Sequence, residues 1–459
     1  MSDTKGLLER IAALRTRLDQ GPVPVRLEEK TRQGAWHNRL IDATLRPLDP
    51  VSDTPAVLPE RLTASAARLL KKGKDLLEAL RALSDDPILT ADADGPLAVL
   101  HQGGAALVEI VLRSVQAFPS APSAQIRLVE GLELVLEAAE DQLETLVAGL
   151  GQKRRDEGRI DYVAELLRGL AAGQAVNLEA LQRVADQLSL EAQSGQPLRF
   201  LHADPVDPSR FAAAHGLTTA QVLARVLKDD PDWQSQLQLA LMTALVHDAG
   251  MVRIPAQILT QSGPLDVEQR RLLERHTVLG GTLVAPLWPG GGWPVEAVTD
   301  HHERSDGTGY PRGRKEIQLG AFVRLLSVCD VYAAMGAVRP HRAARDTRHI
   351  LTDLLLMAEH GHFDRAQAER LLALSFYPVG SIVELDDGAA AVVLAVHDGP
   401  RGLANPTRPV VQLLTGAAGQ TLALPGIIDL AEQQDRHISR NLTRAERHRL
   451  LLKRFPQLI

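Results

Sequence analysis

A chain of 459 residues exceeds one small core and predicts two to four domains. Its net charge of −6 excludes a global electrostatic case for nucleic-acid binding. A single cysteine, Cys329, excludes an intrachain disulfide, and hydrophobic content of 45% with few aromatics and much Leu and Ala leans toward helix.

The N-terminus is charged and lacks the apolar run of a signal peptide. No stretch reaches about 18 apolar residues without charge. A cytoplasmic protein with no membrane span is therefore expected. Leu7, Leu8, Ile11, Leu14 and Leu18 stand at helical spacing. This stripe suits a helix packed on its own domain or a homodimer through N-terminal helices; two heptad turns do not separate the two.

From about 60 to 195 the pattern predicts helix after helix: Arg61–Leu83, Leu97–Ala117, Ala124–Leu150 and Tyr162–Leu190. The charged run Lys153–Arg159 reads as a solvated turn between the last two. His37 and His101 are isolated and read as structural or surface residues. Pro and Gly between Gln193 and Ser209 mark a domain boundary.

The stretch beyond this boundary carries the chemistry. Leu237, Leu241, Ala244, Leu245 and Asp248 share a face of a predicted helix that ends at Gly250. Adjacent side chains on a helix differ by about 100°, so His247 and Asp248 can face one point only where the helix unwinds. His276 lies in a helix predicted over Val267–Leu283. His301 and His302 precede the turn Asp306-Gly307-Thr308-Gly309-Tyr310-Pro311, whose glycines permit positive φ or close approach to a ligand. Asp330 ends an apolar stretch, where an unpartnered carboxylate would be costly. Each feature alone is a weak signal, since a lone His-Asp pair is most often a surface couple. Together with His215 they form an imidazole and carboxylate set without clustered thiolates, which suits iron, manganese or another first-row divalent ion. Two such ions about 3.5–4 Å apart activate a shared water and stabilise an attacked phosphorus.

Toward the C-terminus, Thr347–Leu374 reads as two helices around Gly361. From Tyr377 the pattern alternates, predicting short strands at Val379–Leu385, Ala390–Val396, Pro409–Leu414 and Thr421–Leu424, a small barrel or curled sheet. Ile438–Phe455 reads as a terminal helix with basic residues toward its end.

His247-Asp248-Ala249-Gly250, His301-His302-Glu303-Arg304 and Asp306-Gly307-Thr308-Gly309-Tyr310-Pro311 resemble the HD-GYP branch of the HD-domain phosphohydrolases, over roughly residues 209–375. The resemblance implies a mainly α chain. It divides into a helical regulatory or oligomerisation domain (1–198), an all-helical HD-type catalytic domain (199–375), a small β-barrel-like domain (376–436) and a C-terminal helix (437–459). It implies hydrolysis of cyclic di-GMP to pGpG or GMP by two divalent metal ions held by His215, His247, Asp248, His276, His301, His302 and Asp330, with Asp248 bridging.

In the same resemblance Tyr310 lies in the substrate pocket with Gly309 and Arg304, and Arg339 and Arg342 hold the substrate phosphates through their planar donor forks. Between His301 and Arg345 eight cations face four acids, a local excess that suits a dianionic cyclic dinucleotide. Three positions depart from the family. Met251 stands where a lysine is usual, with Arg253 as its candidate substitute. Phe211 replaces a glutamate that recruits a third metal. Ala333 replaces a second aspartate. A slow phosphodiesterase is the expectation. The alternatives are a catalytically weak or inactive receptor for cyclic di-GMP or a signalling protein partner, and an HD enzyme of another nucleotide.

Overall fold

The computed structural model describes residues 57–91, 96–116, 122–337 and, with interruptions, 345–450. The helix expected near residues 5–19, the homodimer contact built on it and His37 lie outside the described residues. The architecture is mainly helical with a small C-terminal sheet, as expected.

The first unit is built from α1 (Val57–Arg81), α2 (Pro87–Ala91), α3 (Pro96–Gln116) and the opening half of α4 (Pro122–Ala171). In α4 the buried positions Val129, Leu132, Leu136, Ala139, Leu143, Leu146 and Leu150 alternate three and four apart. That stripe packs against Leu62, Leu69, Leu76 and Leu80 of α1 and Val108, Val111 and Val115 of α3 in one core. His101 is tied down structurally, its Nε2 lying 2.8 Å from the Leu80 carbonyl.

The expected turn at Lys153–Arg159 is instead the middle of α4, a single helix of 50 residues. Lys, Arg, Glu and Gln are good helix formers, and Gly151 and Gly158 cost only about 1 kcal/mol each. The acids of this run are also in use. Asp156 receives Arg199 through two bonds of 2.7 and 3.0 Å, and Glu157 receives Arg210 at 2.7 Å. Beyond Ile160 the helix joins a second core, together with α5 (Leu178–Gln193). The expected boundary at 198/199 therefore does not divide the cores: residues 160–192 share one core with the helices that begin at Pro208.

That second core is organised around α6 (Pro208–Leu227), which is buried along nearly its whole length. Asp207 caps it by accepting from the amides of Ser209 and Arg210, with Pro208 in its first turn. Around it stand α7 (Leu237–Val246), α8 (Ala256–Leu259), α9 (Val267–Glu274), α10 (His276–Val284), α11 (Trp293–Asp300), α12 (Ala321–Gly336), α13 (Thr347–Glu359) and α14 (Arg365–Arg370). The single helix expected over Val267–Leu283 is two, separated at Arg275, so His276 opens α10. Gly361 has φ 82° and turns the chain between α13 and α14.

The C-terminal unit is an antiparallel sheet of order β4-β3-β2-β1-β5, from β1 (Ile382–Leu385), β2 (Ala390–Ala395), β3 (Val410–Leu413), β4 (Ile427–Asp429) and β5 (Ile438–Asn441). Alternate residues Val383, Leu385, Ala391, Val393, Val411 and Leu413 form its core. The strand expected at Thr421–Leu424 lies outside the described residues. Ile438–Asn441, expected to open a helix, is instead β5 paired to β1, because Ile438 fills the sheet core. The sheet is tied to the helical unit by Arg348, which donates to the Ser439 carbonyl at 2.6 Å. Among the described residues no helix is long and apolar enough to cross a membrane.

Candidate metal centre

Helix ends deliver most of the polar side chains of one pocket. His247 and Asp248 leave α7 where it tightens into the 3-10 turn Ala249–Arg253. His276 opens α10, His301 and His302 come directly after the last residue of α11, and α6 and α12 add His215 and Asp330 from their interiors. The α7 helix stops before Gly250, whose role is close approach rather than termination. A Cβ there would lie 1.8 Å from the His276 carbonyl oxygen. Gly216 of α6 does the same against α7, where a Cβ would meet the Leu245 oxygen at 2.5 Å.

Three imidazoles are oriented by one device. Nδ1 of His247, His276 and His301 lies 2.8, 2.6 and 2.8 Å from the carbonyls of Ala244, Leu273 and Val298, each three residues earlier. A carbonyl only accepts, so Nδ1 carries a proton and Nε2 is left facing the pocket, a lone-pair donor whenever the ring is neutral.

The two carboxylates stand between two sets of histidines. Oδ1 of Asp248 lies 3.3 Å from His276 Nε2 and 3.6 Å from His301 Nε2; its Oδ2 lies 3.9 Å from His215 Nε2 and 3.8 Å from His247 Nε2. Asp330 Oδ1 is 2.7 Å from His215 and 3.6 Å from His247, and its Oδ2 is 3.8 Å from His302 Nδ1. Two groups have the compactness of metal sites: Asp248 with His276, His301 and His302, and His215 with His247 and Asp330. His302 is partly exposed and the other six are buried. His247 Nε2 and Asp248 Oδ1 are buried without a hydrogen-bond partner. Such atoms are costly unless a cation meets them, so the donor set fits divalent ions.

The electrostatics agree. Burial opposes ionisation of Asp248, but His247 and the other rings around it outweigh that and hold its carboxyl well below the usual range. Burial likewise opposes the charge on Asp330, and the hydrogen bond with His215 together with the neighbouring His247 and His302 rings overcomes it. His247 is penalised by burial yet lifted to about 9 by Asp248 and Asp330. Burial and neighbouring imidazoles push His276 and His302 down, toward the neutral form that ligates metal.

A loop closes one side. Tyr310 lies against His302 with ring centroids 4.8 Å apart and planes tilted by 33°, and burial raises its phenol so that it stays protonated. Gly307 has φ 82°, as its turn requires. Gly309, expected against the substrate, presses on its own chain: a Cβ would lie 2.5 Å from the His302 oxygen. Arg304 is half-buried, lies over the Phe363 ring at 4.9 Å and donates to the Glu303 carbonyl at 2.9 Å. Burial lowers its pKa, while nearby Asp330 and Tyr310 oppose that.

Other expectations are corrected. Arg253 turns outward and donates to the carbonyl of Ala171, the last residue of α4, where unsatisfied carbonyls and the helix dipole favour a cation. It does not replace the missing lysine, and Met251 is buried in the apolar core. Ala333 is fully buried, and Phe211 lines a small cavity beside His215 with Leu201 and Ala203. Arg339 and Arg342 lie outside the described residues.

Sequence reasoning missed the supports. Buried Glu303 accepts the backbone N–H of Arg312 at 2.6 Å and of Arg314 at 2.9 Å. Buried Asp300 accepts Arg314 Nη1 at 2.8 Å. Ser327 Oγ donates to the His301 carbonyl at 2.6 Å, and Asp306 meets His362 Nδ1 at 2.7 Å. Only the adjacency of Asp300 and Glu303 to the paired histidines hinted at their use.

Residues 194–366 match the HD domain family, and residues 382–450 match the KOW domain associated with HD domain. The chain is similar to cyclic di-GMP phosphodiesterase PA4108 of Pseudomonas aeruginosa, 28% identical across 60% of this chain and 65% of that protein. It is also similar to 3'3'-cGAMP-specific phosphodiesterase 1 of Vibrio cholerae, 28% identical across 36% of this chain and 39% of that one. A cyclic di-GMP phosphodiesterase of Thermotoga maritima is 35% identical across 22% of this chain and 27% of its own length. The chain thus spans less than two thirds of the length of each of these relatives.

Proposed function

We propose that this chain, whose residues 194–366 match the HD domain family, is a metal-dependent phosphodiesterase of the HD-GYP type that hydrolyses cyclic di-GMP to pGpG or GMP. The observation that carries the reading is Asp248, buried between two histidine sets with one oxygen toward each. His215, His247 and Asp330 would hold one ion and His276, His301 and His302 the other, with Asp248 shared; iron or manganese suits these donors. Bound ions would supply an activated water near neutral pH and draw charge from the attacked phosphorus.

The chain's own groups do the rest. Tyr310, protonated and against His302, offers a hydrogen bond to the substrate, and Arg304 offers positive charge beside Asp330. The carbonyls behind His247, His276 and His301 keep those rings aimed. Buried Cys329, the only thiol, fits a reducing cytoplasm.

Met251 favours a second reading, a receptor that binds the dinucleotide without turning it over, because the position of the family's lysine is apolar and buried. One assay separates the two. The purified chain is incubated under reducing conditions with Mn²⁺ or Fe²⁺ and either cyclic di-GMP or 3'3'-cGAMP, and products are followed by chromatography. Appearance of pGpG or GMP from cyclic di-GMP supports the enzyme. Tight binding without product supports the receptor, and cleavage of 3'3'-cGAMP alone moves the substrate assignment.

A further inference from the structure

We propose that Glu303 is a positioning residue: its carboxylate sets the place of Tyr310 above His302 and so governs the grip on the substrate rather than metal capture. The proposal rests on the phosphodiesterase reading for its kinetic form, and on geometry alone for its structural form.

Glu303 is 1% exposed and lies directly after the paired histidines. Its two oxygens are divided between two amides on the far side of the loop, Arg312 N–H at 2.6 Å and Arg314 N–H at 2.9 Å. One carboxylate therefore ties the start of the loop to its end. The span between is folded tightly: Gly307 N–H donates to the Arg304 carbonyl at 2.8 Å and Tyr310 N–H to the His302 carbonyl at 3.2 Å. A second strut comes from the same base. Arg314 Nη1 reaches Asp300 at 2.8 Å and Glu296 at 3.0 Å, both on α11. That helix also delivers His301 and His302. The loop bearing Tyr310 and the histidines it covers thus share one rigid support, which is what a fixed ring separation needs.

The chemistry singles out a carboxylate. Two N–H donors need two acceptors, and a carboxylate has both. A glutamine offers one acceptor and an NH₂ group that would face the second donor. An aspartate is shorter by one methylene and can serve one amide well. Losing a support of this kind costs about one to two orders of magnitude in function.

The test compares the wild type with Glu303→Gln, Glu303→Asp and Tyr310→Ala in the full chain loaded with Mn²⁺. For Glu303→Gln the KM for cyclic di-GMP should rise about tenfold while kcat stays within about threefold and bound metal is unchanged. Glu303→Asp should fall between, and the Glu303→Gln, Tyr310→Ala double variant should lose little more than Tyr310→Ala alone. Hydrogen exchange should quicken at the amides of Arg312 and Arg314. Metal loss with KM unchanged, or additive losses in the double variant, would overturn the proposal. If the wild type cleaves no cyclic dinucleotide, the phosphodiesterase reading falls. Exchange at 312–314 and the Kd for cyclic di-GMP then decide the role of Glu303, and unchanged exchange in Glu303→Gln rejects it.

Discussion

Oδ1 of Asp248 lies 3.3 Å from Nε2 of His276, two residues brought together from the end of one helix and the start of another. The other oxygen of the same carboxylate faces His215 and His247. A group placed between two donor sets cannot be lost without loosening both.

Asp248→Asn should therefore lower Mn²⁺ affinity by more than about 100-fold, beyond the range seen for a ligand's supporting partner, and abolish turnover. Helical content should be unchanged, because the side chain caps no helix. Elemental analysis of the dialysed variant measures this, and full metal stoichiometry would show that the carboxylate is not a ligand.

The proton on His247 should compete with metal. Its pKa in the metal-free fold stands at about 9, above the ordinary 6.5. A raised pKa adds stability that is complete below about pH 6.5 and is lost as pH rises through about 9. Metal must displace this proton, so Mn²⁺ affinity should climb about tenfold per pH unit until about pH 9. Calorimetric titration in buffers of different ionisation enthalpy reads both the affinity and the released proton. A flat affinity across this range would contradict the assignment.

Gly250→Ala should strain the pocket without altering any ligand. Its Cβ would lie 1.8 Å from the His276 oxygen and 2.7 Å from the Gly280 nitrogen, both backbone atoms that cannot rotate away. Overpacking of this sort costs about 1–3 kcal/mol or more. A thermal midpoint lower by several degrees and weaker metal binding are expected; an unshifted midpoint would mean that α10 yields freely.

Arg199→Ala should destabilise the second core by about 3–5 kcal/mol, the usual cost of stranding buried charge. Arg199 joins Asp156 and Glu191, which are 4% and 2% exposed. Burial acts against the Glu191 charge, and Arg199 with Arg159 overcomes it. Denaturant unfolding measures the change, and a loss below about 1 kcal/mol would show that Arg159 suffices.

The seven residues that the structure gathers in one pocket were legible because imidazoles and carboxylates in largely apolar helical segments have few other uses in such number. The structure brings His215 and Asp330 within 2.7 Å although 115 residues separate them. What was illegible depends on partners. The charged run at 153–159 reads as a turn until Arg199 and Arg210 are seen to neutralise it. Arg253 reads as a substrate group until the end of α4 claims it. Glu303 counted as part of the motif after the paired histidines and as one more negative charge, because nothing local reveals that its acceptors serve amides nine and eleven residues ahead. Ile438 lay within a plausible helical stripe, and only the hydrogen bonds offered by β1 made it a strand.

The continuity of α4 has a geometric consequence for the molecule. A helix turns about 100° and climbs about 1.5 Å per residue. The stripe ending at Leu150 and the stripe beginning at Ile160 therefore keep a rotational phase set only by the residue count between them. One residue inserted there would swing one core about 100° around the shared axis relative to the other. A seven-residue insertion would nearly restore the phase while lengthening the shaft by about 10 Å. Arg210 lies on the same helix as His215 and pairs with Glu157 of α4, so the shaft is pinned to the second core little more than one turn from a pocket-facing histidine.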